Sequence, residues 1–483
     1  MVQVTTPRPK ITVTADGDGV VSHAGARLLS DVASAVGLDA WFGEVAGGGR
    51  VRRSAHDPGR VLSDLAVLLA DGGEAISDLA VLRDQDALFG AVASDPTAWR
   101  VLKSVADRGP VGLLALQEAR AMARERAWLA RAEVGRTVPA IKAGGRTWKG
   151  LVIDLDATLV TAHSEKESAA ATFKGGFGYH PLLAFLDNTN EALAGVLRPG
   201  NAGANTAADH ITVTDLALAQ IPDDQRHRQP ILIRADGAGA TKAWLTHLHG
   251  LRRPVQDGGH GLDLDYSVGF TMTEAVQTAI LALPAWAWTP AVRIDGKLRE
   301  GGDVAELTGI LPTHAVDLDA NGWPPGMRVI VRRERPHPGA QLTFSDVHGY
   351  RFQTFATNTR VGQLAALEAR HRAHARVEDR IRTGKDTGYG RFPSRHFGIN
   401  AVWLQLALTA ADLLAFTQTI LLDEGSELAV AEPKTLRYRL LHVAARITRG
   451  QRKTWIRIQA TWPWAQELAA AFARLRLLPP APT

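Results

Sequence analysis

Cysteine is absent from all 483 residues, which excludes disulfides, thiolate zinc sites and a cysteine nucleophile, and fits a reducing compartment. Long apolar runs are missing too. The longest uncharged stretch, "FGINAVWLQLALTA" from Phe397, contains Asn400 and Gln405 and soon meets Asp412, so it predicts a buried core helix rather than a bilayer span. The opening "MVQVTTPRPKITVTADGDGV" lacks a charged-then-apolar leader with a cleavage site, and export is not expected. A cytoplasmic protein without membrane association is the expectation. Internal repeats and low-complexity tracts are also lacking, and 46 Gly with 24 Pro is too few for a disordered chain. What remains is a globular composition, 45% hydrophobic and 22% charged, on a chain long enough for several domains or one core with large insertions.

Acidic residues are scarce in one place. Between Pro433 and Arg476 there are ten Lys or Arg against a single acid, Glu467. This excess is larger than the net +5 of the whole chain, so the rest is net negative. Interleaved with the cations are Tyr438, Trp455, Trp462 and Trp464. Phosphates attract Lys and Arg while indoles stack on bases, so Arg449, Arg452 and Lys453 are candidate nucleic-acid contacts; a solvated helical face is the plainer alternative.

The first 145 residues read as a helical N-terminal domain. "HDPGRVLSDLAVLLADGG" offers Asp57 as cap, Pro58 at the first helical position and a Gly pair as stop, and "SDPTAWRVLKSV" repeats the opening at Asp95 and Pro96. A longer helix follows with Arg120, Arg124, Arg126 and Arg131. Such a module either binds DNA or is an ordinary packing bundle, since no helix-turn-helix stands out. From residue 146 to 270 the grammar changes: strands "LVIDLDATLV", "YHPLLAFLD" and "EALAGVLRP", a helix "TAADHITVTDLALAQ", a strand "PILIRAD", a helix "ATKAWLTHLHG" and a strand "DYSVGF". This order predicts a mixed α/β sheet with an antiparallel start. Residues 271–355 are Trp-, Pro- and Arg-rich text consistent with a β-rich insertion. Helical character returns over 356–425, and 426–483 is the basic C-terminal region.

Three segments carry candidate chemistry. In "LVIDLDATLV", strand alternation puts Asp154, Asp156 and Thr158 on one face of an otherwise apolar strand. Two like charges a strand-step apart need a cation or a basic partner. Asp-x-Asp-x-Thr resembles the haloacid-dehalogenase phosphatases, which implies Asp154 as nucleophile and Asp156 as acid/base, but the downstream Gly-Asp-x-x-x-Asp of that family is missing. Asp236 follows the strand "ILIR", where open α/β sheets place their sites and where an Asp also commonly caps a turn. In "HRAHARVEDRIRTGK", His371, His374, Glu378, Arg382 and Lys385 stay on one helical face. That face is a charged solvated surface, a histidine-based metal site or part of an active site.

Carboxylate at the end of a first strand, carboxylate after a fourth, and glutamate on a late helix beyond an insertion is the order of the RNase H-like DDE transposases. His371, His374, Glu378 and Lys385 hold the offsets at which related bacterial transposases carry Tyr, Arg, Glu and Lys. Together with "DLDATLVTAHSEKE", "GYHPLLAFLDNT", "LRPGNAGAN", "IRADGAG" and "RYRLLHVAARITRGQRKT", the chain from about Lys149 onward resembles the insertion-sequence family thirteen-eighty, related to the family-four transposases. The resemblance implies an RNase H-like catalytic domain interrupted by the insertion, and an acidic triad of Asp156, Asp236 and Glu378, with Asp154 as the competing first member. It implies two Mg²⁺ ions, with Mn²⁺ able to substitute, and cleavage and strand transfer at terminal inverted repeats by a homodimer on double-stranded DNA. Lys385 is expected to hold a phosphate, His371, His374 and Arg382 to be auxiliary DNA contacts, and Trp286, Trp288 or Trp323 to stack on an unpaired base unless they pack in the core. A phosphatase and a non-catalytic DNA-binding protein are the competing functions.

Overall fold

The computed structural model describes residues 11–47, 56–163, 165–203, 205–252, 261–308, 322–336, 339, 346–450 and 452–479. The first ten residues of the opening segment read above lie outside this set. Among the described residues, ten strands form the large sheet: β1 (Leu151–Ala157), β2 (Leu182–Leu186), β3 (Ala192–Val196), β4 (Ile231–Ala235), β5 (Leu264–Phe270), β6 (Thr289–Val292), β7 (Leu298–Glu306), β8 (Arg328–Glu334), β9 (Asp346–Val347) and β10 (Tyr350–Thr357). Their spatial order is β6-β7-β8-β10-β5-β4-β1-β2-β3, with β9 attached to β10. β4 runs parallel to both β1 and β5, and every other pairing is antiparallel. The mixed α/β sheet and its antiparallel start are thus observed.

Among the described residues of 271–355, the helix Glu274–Leu281 is followed by the strands β6 to β10. Their strands do not form a separate sheet: β10 pairs with β5 and prolongs the same one. Helices Ala207–Ala219, Lys242–Leu251 and Glu274–Leu281 cover one face, packing with Leu151, Ile153, Ile233 and Val268. The strands β1, β4 and β5 are largely buried on both faces, apolar on the face under these helices and carrying Asp154, Arg234 and Ser267 in register on the other.

The N-terminal helices form where their punctuation says. Asp57 caps Pro58–Asp71 by accepting from the Gly59 and Arg60 N–H groups, and Gly72, at φ +106°, ends it. The Asp95–Ala106 helix starts one residue earlier than its Asp-Pro signal, with Ser94 in the cap position. The long helix Pro110–Glu133 buries Arg120, Arg124 and Arg131. Arg124 lies 2.8 Å from Glu191 and 2.6 Å from Asp412, Arg120 lies 2.9 Å from Asp412, and Arg131 lies 3.3 Å from Glu191. These cations face inward rather than outward. Their carboxylate partners come from the turn before β3 and from the Phe397–Phe416 helix. That helix, extended to Leu421, has the length and composition of a membrane span, but 94% of its apolar window is buried inside the fold. It packs against Pro58–Asp71, Pro110–Glu133 and β3, joining the helical region to the sheet edge.

The C-terminal region returns to the N-terminus. Ala445–Gly450 and Lys453–Ile458 form a hairpin, and Val20–Val21 adds a third, antiparallel strand at Arg446 and Ala445. The buried arginine network gives a stability test. Arg124→Ala leaves Glu191 and Asp412 buried and under-compensated, with an expected loss of about 3–5 kcal/mol, measured by urea unfolding against the wild-type chain.

Candidate active site

The two aspartates of β1 have opposite surroundings. Asp154 is fully buried, and Arg234, from the neighbouring β4, approaches its two oxygens at 2.7 and 2.8 Å. His374 Nδ1 is 3.0 Å from the same carboxylate. Burial works against the charged form, but Arg234 and His374 outweigh it and hold Asp154 well below the usual carboxylate range. Arg234 also donates to Asp187 at 2.8 Å and to the Arg370 carbonyl at 2.8 Å. Arg376 and Arg380 complete the pairing of Asp187. Both oxygens of Asp154 are therefore engaged, which removes the free carboxylate that a phosphatase nucleophile requires.

Asp156, near the end of β1, has no such arginine. It lines an open cavity of about 460 Å³ together with Thr158, Glu378, Arg382 and Lys385. Burial pushes its pKa up to about 6; His374 opposes this, while the negative charges of Asp236 and Glu378 add to it. The charges of Asp236 and Glu378, from distant segments, thus reach Asp156. The oxygens of the three carboxylates do not all lie within 4.8 Å of one another, and Asp236 is not part of the cavity lining.

Asp236 sits directly after β4 and caps the turn Gly237–Gly239 by accepting from the Ala238 N–H at 3.0 Å. The turn approaches β5 so closely that a Cβ on Gly269 would lie 2.6 Å from the Gly237 nitrogen. A side chain there would displace the backbone carrying Asp236. Glu378 is exposed on the helix Arg376–Gly384. Lys385 follows that helix and donates to the Leu159 carbonyl at 2.9 Å, just beyond the end of β1. Burial and Lys174 lower the pKa of Lys385.

The face that begins at His371 is not uniformly exposed. A short 3₁₀ turn, Ala373–Ala375, separates Leu364–Arg372 from Arg376–Gly384, and the first part lies against the sheet. His371 stacks on Phe355 with ring centroids 4.4 Å apart and bonds Ser267 at 2.9 Å. Burial, aided by His374 and Arg234, pushes its pKa down to about 3, so it is neutral. His374 is buried on Asp154, and its Nε2 has no hydrogen-bond partner. Glu378, Arg382 and Lys385 are the members that reach the cavity, with Arg382 held at 2.7 Å by Glu432.

The remaining candidates are scattered. Trp286 is 84% exposed. Trp288 lies under Arg333 at 4.2 Å, and Trp323 packs between Phe270 and Lys242. Arg449, Arg452 and Lys453 are exposed near the tip of the C-terminal hairpin. Sequence reasoning missed Arg234, Asp187 and Arg380. The signal was present in "ILIRAD", because an arginine inside an apolar strand requires a buried carboxylate.

Comparison with known families decides the class. The sequence model described as Transposase DDE domain group 1 matches residues 3–480. The chain belongs to the DDE transposases. Among solved structures it is similar to the piggyBac transposase in a synaptic complex with hairpin DNA, at 8% identity and a TM-score of 0.42, covering 86% of this chain and 78% of that one. No curated protein matches. DDE transposases generally use divalent metal ions, and the site offers the hard carboxylate oxygens that such ions take.

The contrast between the two aspartates in this transposase has a measurable consequence. For Asp156 the folded-state pKa is raised, so the ionised form is the costly one. That cost is absent below about pH 4, where both folded and unfolded states are protonated, and is complete above about pH 6. Asp156→Asn is expected to stabilise the protein at pH 8 in divalent-free buffer, by up to about 3 kcal/mol, with the gain vanishing at pH 4. Asp154→Asn is expected to destabilise it at pH 8 by about 3–5 kcal/mol, because Arg234 loses its partner. Denaturant midpoints at the two pH values check both signs.

Proposed function

We propose that this transposase cuts and rejoins DNA at the terminal inverted repeats of its own insertion sequence, by a cut-and-paste route, with Asp156, Asp236 and Glu378 as the catalytic triad. The observation that carries this reading is that Asp156 and Glu378, from distant segments, line one open cavity, with the charge of Asp236, at the end of the adjacent strand β4, also reaching Asp156. The sheet order β3-β2-β1-β4-β5, with only β2 antiparallel to its neighbours on both sides, supports an RNase H-like core. In that division, 146–270 and 356–425 form the catalytic domain, 271–355 the insertion, 1–145 the helical domain and 426–483 the basic region.

The donor set fits two Mg²⁺ ions, with Mn²⁺ as substitute, because such ions take hard carboxylate oxygens and Asp156, partly buried and acted on by the exposed Asp236 and Glu378, needs positive charge. When bound, such ions supply charge to the attacking and leaving oxygens of an in-line phosphodiester displacement. The chain's own groups then orient the strand. Lys385, at the cavity rim, holds a phosphate next to the scissile bond, and Arg382 extends that rim. Water opens the phosphodiester first, and the freed 3′-hydroxyl attacks a second strand, on the opposite strand or in target DNA. His374 serves as a positioning residue that fixes Asp154 behind the site, and His371 packs the helix on the sheet. Trp286 is the indole of the insertion free to meet an unpaired base. The exposed Arg449, Arg452 and Lys453 bind the DNA backbone. Two element ends must be joined, so the working form is a homodimer on DNA, in the cytoplasm with the chromosome.

Cleavage of a labelled fragment carrying the repeats that flank the gene, with Mg²⁺ or Mn²⁺, is the direct test. Asp156→Asn, Asp236→Asn and Glu378→Gln are each expected to bind but to cut about 100-fold more slowly or worse. Wild-type cutting by the Glu378 variant would remove the triad. Replacing Arg449, Arg452 and Lys453 together by Ala is expected to lower the slope of log affinity against log salt by about 2–3, read from binding isotherms at several salt concentrations.

A further inference from the structure

A second cluster of ligand-bearing side chains lies away from the carboxylate cavity and contributes none of its lining. The donor atoms of His23, Asp71 and His442 all lie within 4.8 Å of one another. Three remote segments bring them together. His23 follows the Val20–Val21 strand, Asp71 ends the Pro58–Asp71 helix, and His442 follows the helical turn Arg437–Leu441.

The geometry is that of two imidazoles sharing one carboxylate. His23 Nδ1 is 2.5 Å from Asp71 Oδ2, and His442 Nε2 is 3.1 Å from Oδ1. The His442 nitrogen is better aimed at the Asp71 backbone carbonyl, at 2.9 Å, so Oδ1 is buried with no hydrogen bond. The Asp71 side chain is only 2% exposed. The neighbouring cation, Arg437, donates to the Ala70, Leu69 and Asp386 carbonyls and to Thr387, leaving the carboxylate to the histidines. The two rings lie 4.0 Å apart, too close for both to carry charge comfortably. His23 also adopts φ +51°, an uncommon conformation for a residue other than Gly, Asn or Asp.

A tetrahedral zinc ion with bonds of about 2.0–2.1 Å sets its donors about 3.3 Å apart; the His442 contact at 3.1 Å is near that value, the His23 contact at 2.5 Å would have to open, and all three donors stay within 4.8 Å. Two imidazole nitrogens and a carboxylate select a borderline divalent ion over Mg²⁺, which prefers oxygen alone. The His23 and His442 side chains, 24% and 36% exposed, leave an entry path and a fourth position for water. We propose that His23, Asp71 and His442 form a structural site for a zinc-type divalent cation that clips the N-terminal segment to the base of the C-terminal basic hairpin. The bound ion replaces the imidazole protons that otherwise point at Asp71, and it acts independently of the catalytic carboxylates.

The test uses the full chain carrying Asp156→Asn, Asp236→Asn and Glu378→Gln, which silences the catalytic carboxylates. After chelation and dialysis it is titrated with Co²⁺ and then Zn²⁺. One Co²⁺ per chain with visible absorption of a four-coordinate ion, displaced by Zn²⁺ with a rise in Tm, is expected. His442→Ala and His23→Asn should each weaken binding about tenfold or more and abolish the zinc-dependent rise. His23→Asn keeps a residue that tolerates the left-handed backbone, so it reads the ligand even if the other variant misfolds. Absence of stoichiometric binding, or equal binding by the His23 variant, would reduce the cluster to a hydrogen-bonded histidine–carboxylate group and overturn the proposal.

Discussion

Arg234 is the cation on which the centre of this transposase depends. It reaches from β4 to Asp154 on β1 and to Asp187 beyond β2, and donates to the Arg370 carbonyl at the end of a late helix. One guanidinium thereby ties two parallel strands, a turn and the helical segment that leads to Glu378. A planar fork with several fixed donors can do this, whereas an ammonium could not. The pairing also sorts the two aspartates of β1: Asp154 is neutralised inside the sheet, and Asp156, two residues on, is left facing the cavity.

A second set of buried charges fixes the helical region to the sheet. Arg120, Arg124 and Arg131 meet Asp412 and Glu191, and Asp412 also accepts from the Ala192 N–H on β3 at 2.9 Å. Burying so many charges is costly unless each finds its partner. The geometry therefore specifies one docking of the helices on the sheet edge, where apolar packing alone would tolerate several.

Local grammar was legible from residues alone. Asp57, Pro58 and Gly72 announced a helix that forms between them, and the alternating strands and helices from Leu151 to Phe270 appear in the order read. The stretch from Phe397 was rightly read as core, since Asn400 and Gln405 are buried and hydrogen-bonded to Ser394 and to the Gly195 carbonyl. Long-range pairing was not legible. Nothing local says that the strands after Thr289 prolong the main sheet, or that the arginines of the Pro110–Glu133 helix turn inward. The stretch from His371 to Lys385 is helical, but a 3₁₀ turn at Ala373–Ala375 divides the face that regular spacing predicts. Burial of its first half depends on the position of Phe355 and Asp154, which spacing along one helix does not encode.

The pairing of Val20–Val21 with Ala445 and Arg446 joins segments from opposite ends of the chain. At roughly 5–20 residues per second on the ribosome, the early strand waits on the order of half a minute for its partner to exist. Contacts so remote in sequence are also the slowest to close. The hairpin bearing Arg449, Arg452 and Lys453 is consequently among the last surfaces assembled, after the large sheet has emerged. A chain interrupted late in synthesis would carry the large sheet and leave Val20–Val21 without its partner strand.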